Sequence, residues 1–78
     1  MKSFEYEKEI KRLGEKVKEL RLQQNITQEI LSALCDVDVR TIQRIEKGQQ
    51  NITLRILFRI SDSLSVNPAE LIKLCIQE

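Results

Sequence analysis

Few side chains in this 78-residue sequence are equipped for covalent or metal chemistry. There are two cysteines, Cys35 and Cys75, twelve carboxylates and no histidine. A zinc site needs clustered thiolate and imidazole ligands, and here no histidine can join two thiols that each sit inside an apolar helical pattern. Both are read as reduced, structural cysteines. There is no serine elbow and no glycine-rich phosphate loop, and the carboxylates are scattered among lysines at spacings that suit helix surfaces. No catalytic group, metal or cofactor is expected, and the sequence argues against an enzyme. What remains is an uneven distribution of charge. The net charge is only +1, yet residues 39–59 hold five basic side chains (Arg40, Arg44, Lys47, Arg55, Arg59) against one acid, Glu46.

The elements that must position these cations are helices. Ile10, Leu13, Val17 and Leu20 recur at three and four residues, which predicts an amphipathic helix over about residues 5–24. Gly14 is out of place within it, since glycine in a helix interior costs about 1 kcal/mol relative to alanine. Asn25 and Ile26 interrupt the pattern. Thr27 can cap a second helix carrying Ile30, Leu31, Leu34 and Cys35, and Asp38 can cap a third carrying Val39, Ile42 and Ile45. Gly48 ends the third helix. After the polar link Gln49-Gln50-Asn51, Thr53 can cap a fourth helix striped by Leu54, Leu57, Ile60 and Leu64. Asn67-Pro68-Ala69-Glu70 opens a fifth, with Asn as cap, Pro at the first helical position and Glu placed to reach back to the cap amide.

The sequence therefore reads as all-α, five helices in one domain over residues 1–78, with an apolar fraction of 41%. A chain of this size buries only about 60% of its unfolded surface, so oligomerisation would help it. No run approaches the roughly 18 apolar residues of a membrane span, and the first dozen residues lack the apolar stretch of a signal peptide. A cytoplasmic location is expected.

Only Asp36, Val37 and Asp38 separate the apolar sets of the second and third helices, so these helices must cross steeply, as in a helix-turn-helix over about residues 27–48. That motif needs a small residue midway along its first helix, which Ser32 supplies. It needs a turn residue that tolerates left-handed torsions, and Asp does so better than most. Leu31, Cys35, Val37, Ile42 and Ile45 supply the apolar residues of the crossing.

The run resembles the phage-repressor-like, Xre-type helix-turn-helix family. Thr27-Gln28-Glu29, Thr41-Ile42, Arg44-Ile45-Glu46-Lys47-Gly48, Leu64-Ser65-Val66 and Glu70-Leu71 all match that family's pattern, over about residues 10–72. The departures are Asp36 and Ser65, where glycine is common, and Cys35, where leucine is frequent. The resemblance implies sequence-specific binding of double-stranded DNA, with the third helix in the major groove. Carried over position by position, Val39, Arg40, Gln43 and Arg44 face base edges. Arg can donate twice to guanine, Gln can pair bidentately with adenine, and Val can meet a thymine methyl. Gln28 is implied as a phosphate anchor at the head of the second helix, with Thr27, Thr41, Lys47, Asn51 and Arg55 as further phosphate contacts. The alternative for Arg40, Gln43 and Arg44 is the solvated face of an amphipathic helix. Glu46 is implied to pair inside the fold with Arg21.

A weakly charged protomer favours a homodimer on a palindromic operator. Ile56, Ile72, Cys75 and Ile76 are the candidates for its interface, the last three on a helix over about residues 67–77 that is more apolar than its own packing requires. The function implied is a transcription regulator acting as a homodimer. The alternative is an antitoxin-type module that binds a protein partner as well as DNA.

Overall fold

The computed structural model describes residues 5–75, apart from the side chains of Leu74 and Cys75. Five helices follow in order: α1 (Tyr6–Gln23), α2 (Gln28–Cys35), α3 (Val39–Glu46), α4 (Leu54–Ser63) and α5 (Pro68–Cys75). The Thr27 hydroxyl accepts from Ile30 N at 3.1 Å and that of Thr53 from Ile56 N at 3.2 Å, so both threonines cap as their sequence positions predict. Asn67 Oδ1 accepts from Ala69 N at 2.8 Å at the head of α5. Asp38 departs from expectation. It occupies the cap position of α3 but its carboxylate forms no capping hydrogen bond. Its torsions (φ −56, ψ 140) differ from the more extended pairs at Thr27 and Thr53, and only its backbone carbonyl engages the first turn, accepting from Thr41 N and Ile42 N.

The first four helices end by one device. Asn25, Asp36, Gly48 and Ser65 all have positive φ, between 55° and 72°. Across each of them the next amide bonds back over the last turn: Ile26 N to Arg21 O, Val37 N to Ser32 O, Gln49 N to Arg44 O, and Val66 N to Ser61 O. This left-handed termination satisfies carbonyls that a helix end leaves open, and it usually carries an apolar residue just beyond. Ile26, Val37 and Val66 fill that role and pack against the core.

The core is Val17, Leu31, Cys35, Ile42, Ile45, Leu57, Ile60, Leu64 and Leu71. α1 packs across α3 and α5, α2 lies against α3 and α4, and α4 packs on α5. Gly14 now has its reason. It is buried where α1 meets the end of α3, and a Cβ there would run into the carbonyl oxygen of Ile45. Two turns further along α1, that close approach brings Arg21 to the end of α3. Three residues of the apolar sequence pattern are open to solvent. Ile30, Leu34 and Leu54 are exposed, together with Phe58. Helical spacing assigns a residue to a face but does not say how far the neighbouring helices reach over it.

Candidate nucleic-acid interface

α3 is divided along its length. Ile42, Ile45 and Glu46 are buried, while Arg40 and Arg44 are exposed and Val39, Thr41 and Gln43 are half-buried. Arg40, Gln43, Arg44, Lys47 and Gln49 line an open concavity of about 250 Å³. No carboxylate lines it, so it presents three cations and two amides, a set that can donate to phosphate oxygens and to the acceptor-rich edges of bases. Gln49 is the residue that sequence reading missed. By sequence it belongs to the polar link after α3, and the only signal for it is its place one residue after the helix-ending Gly48.

The one acid of α3, Glu46, is turned inward. Arg21 Nε donates to Glu46 Oε2 at 2.8 Å and its Nη2 to Glu46 Oε1 at 3.0 Å, a bidentate pair in which both side chains are less than a tenth exposed. Hydrogen bonding to Glu46 raises the Arg21 pKa above its ordinary value, so the guanidinium stays charged at any working pH. The third Arg21 donor, Nη1, reaches Ile26 O at 2.9 Å in the turn between α1 and α2. Gln28 Nε2 also donates to Glu46 Oε1, at 3.1 Å. The structure thus joins three residues that the sequence placed in two separate roles: Gln28 as a surface anchor, and Arg21 with Glu46 as an internal pair.

The other expected contact residues lie around this centre. Lys47 is exposed at the end of α3. Thr27 is exposed at the head of α2, with its hydroxyl oxygen already accepting the cap bond. Asn51 and Arg55 are exposed on the α3–α4 link and the first turn of α4, outside the lining of the concavity. Arg59, one turn beyond Arg55, donates to Asp36 O at 3.4 Å. Among the dimer candidates, Ile56 is packed against the core, whereas Leu54 (65% exposed) and Phe58 (53%) are the open apolar residues of α4. Ile72 on α5 is 37% exposed. The side chain of Cys75 and all of Ile76 lie outside the described residues.

Burial pushes the Cys35 thiol above its ordinary pKa, which keeps it protonated and unreactive at neutral pH. Among the described residues no group of His, Cys, Asp and Glu could hold a metal ion, and no helix is long and apolar enough to cross a membrane.

An all-helical fold with α2 and α3 crossing at a three-residue turn, and cations on the open face of α3, defines a helix-turn-helix protein. A helix-turn-helix family model matches residues 17–71, and the chain belongs to that Xre-like family. It is 38% identical over 60 residues to the control protein C.BamHI of Bacillus amyloliquefaciens, a match spanning 76% of this chain and 74% of that protein. Among solved structures it is similar to the restriction-modification controller protein C.AhdI from Aeromonas hydrophila, with a TM-score of 0.78 and 29% identity over 80% of this chain and 94% of that one. A mutant of the controller protein C.Esp1396I, solved bound to its highest affinity operator site, matches with a TM-score of 0.79 and 25% identity over 87% of this chain and 90% of that chain.

Proposed function

We propose that the protein is a sequence-specific DNA-binding transcription regulator of the controller type, working as a homodimer on a palindromic operator. The observation that carries this reading is the acid-free concavity on α3, where Arg40, Gln43, Arg44, Lys47 and Gln49 converge while Glu46 is turned inward and paired. Val39, Arg40, Gln43 and Arg44 then read base edges from the major groove. Gln28, Lys47 and Thr41 hold the backbone at the two ends of α3, and Thr27, Asn51 and Arg55 extend the phosphate contacts on either side. The relatives favour this over an antitoxin-type partner module, since C.BamHI, C.AhdI and C.Esp1396I are all named as control or controller proteins. In this reading the chain acts in the cytoplasm as a DNA-binding regulator.

Leu54, Phe58 and Ile72, on the packed pair α4 and α5, are the surface assigned to the second protomer. Two copies would place two α3 helices on half-sites about one helical turn, roughly 34 Å, apart. Selection of bound duplexes from a random pool tests the reading. The expected result is enrichment of an inverted repeat with that spacing, and a pool that stays random after selection would refute sequence-specific binding.

A further inference from the structure

Glu46 occupies a position that helix electrostatics disfavour. It is the last residue of α3, where the carbonyl ends concentrate negative charge and a cation is preferred. Packing does not require it, because a buried ion pair is commonly replaced by apolar residues of similar volume without loss of stability. Two features set this carboxylate apart. Both of its oxygens are fixed by one guanidinium, and one of them also accepts from Gln28 across the interface of α2 and α3. A carboxylate is an acceptor only, so it settles the one ambiguity of a glutamine amide: the nitrogen must face Glu46 and the carbonyl must face away. The nitrogen retains a second N–H beyond the one given to Glu46.

We propose that Glu46 is a positioning residue for DNA binding, holding the half-buried Gln28 amide so that its remaining N–H meets one phosphate of the operator backbone, with Arg21 keeping the carboxylate in place and cancelling its charge. The proposal rests on the DNA-binding reading above. It makes the Arg21–Glu46 pair a part of the interface as well as of the fold, with α1 acting on the phosphate through two intervening side chains.

The test is a cycle of operator affinities measured at fixed salt. In the parent protein Gln28→Ala should weaken operator binding about tenfold, the size of one charge-assisted hydrogen bond. In a background carrying Arg21→Met with Glu46→Leu, the same Gln28→Ala change should cost less than about twofold, because the amide is no longer held. Equal losses in the two backgrounds would overturn the proposal while leaving DNA binding intact. A parent that binds no sequence in preference to another would overturn the functional reading, and the proposal with it. Because the apolar background could fail to fold, the side-chain amide of Gln28 is also followed by NMR relaxation in the parent. It should be markedly more ordered than that of the exposed Gln23, and Glu46→Gln should loosen it. A Gln28 amide as mobile as that of Gln23 would by itself refute the proposal.

Discussion

The fully buried and the exposed residues of α3 form two opposite faces of the helix. Arg40 and Arg44 project from the exposed face with no carboxylate in the concavity that they line, whereas Lys47 stands at the helix end. Replacing either arginine with Ala should cost about 1–3 kcal/mol of operator binding and relax preference at one base pair, while Lys47→Ala should weaken all sequences alike and lower the salt slope by about one unit. Titrations on operator and random duplexes at several salt concentrations distinguish these outcomes, and equal losses on both duplexes for both arginine variants would place Arg40 and Arg44 on the backbone. On the buried face, Arg21 and Glu46 are closely paired and nearly solvent-free. Removing one partner leaves an uncompensated charge and should cost about 3–5 kcal/mol of stability, whereas Arg21→Met with Glu46→Leu should recover much of that loss. Urea unfolding at one protein concentration measures both, because association contributes to the apparent stability of a dimer. Single variants as stable as the parent would reduce the pair to an ordinary surface contact of about 0–1 kcal/mol.

At the scale of elements, five helices were legible because their apolar residues recur at helical spacing and their starts carry Thr27, Thr53 and Asn67, all of which cap. The steep crossing of α2 and α3 followed from the shortness of the link between them. Other features depend on what a helix meets, and sequence periodicity is silent on that. Arg21 and Glu46 are 25 residues apart and could be joined only through likeness to a family, and the bond from Gln28 to Glu46 had no sequence signal at all. Leu54 falls on the apolar stripe of α4 by spacing and is nonetheless 65% exposed. Gly14 looked like a defect in α1 and is instead the point at which the end of α3 touches it. Gly14→Ala should therefore destabilise by about 1–3 kcal/mol through overpacking, opposite in sign to the gain of about 1 kcal/mol that helix propensity alone would give. Ser65 supplies the contrasting case. It holds φ 58 without the freedom of glycine, so Ser65→Gly should stabilise by about 1 kcal/mol. Thermal unfolding of the two variants, with opposite shifts expected, tests whether backbone geometry outweighs propensity at both sites.

The whole molecule sorts its chemistry by face. Positive charge gathers around α3, while two other helices carry exposed apolar residues four apart, Ile30 and Leu34 on α2 and Leu54 and Phe58 on α4, and Tyr6 and Leu22 are exposed on α1. Exposed apolar pairs of this kind are candidates for contact with a second copy of the chain. The α4 pair is the better candidate for the second protomer, because α4 packs on α5 and the partly exposed Ile72 extends the same apolar character to that helix. Leu54→Glu together with Phe58→Glu should leave the fold nearly unchanged, since both side chains are more than half exposed, and should shift sedimentation from dimer to monomer. Losing the dimer also removes the advantage of engaging two half-sites at once. Operator affinity should then fall by a factor on the order of 10² to 10⁴, while binding to an isolated half-site changes little. Leu34→Glu serves as the matched control on α2 and should preserve both the dimer and full operator affinity. A dimer that survives the α4 substitutions and dissociates with Leu34→Glu would move the interface to α2 and leave Leu54 and Phe58 without a role in assembly.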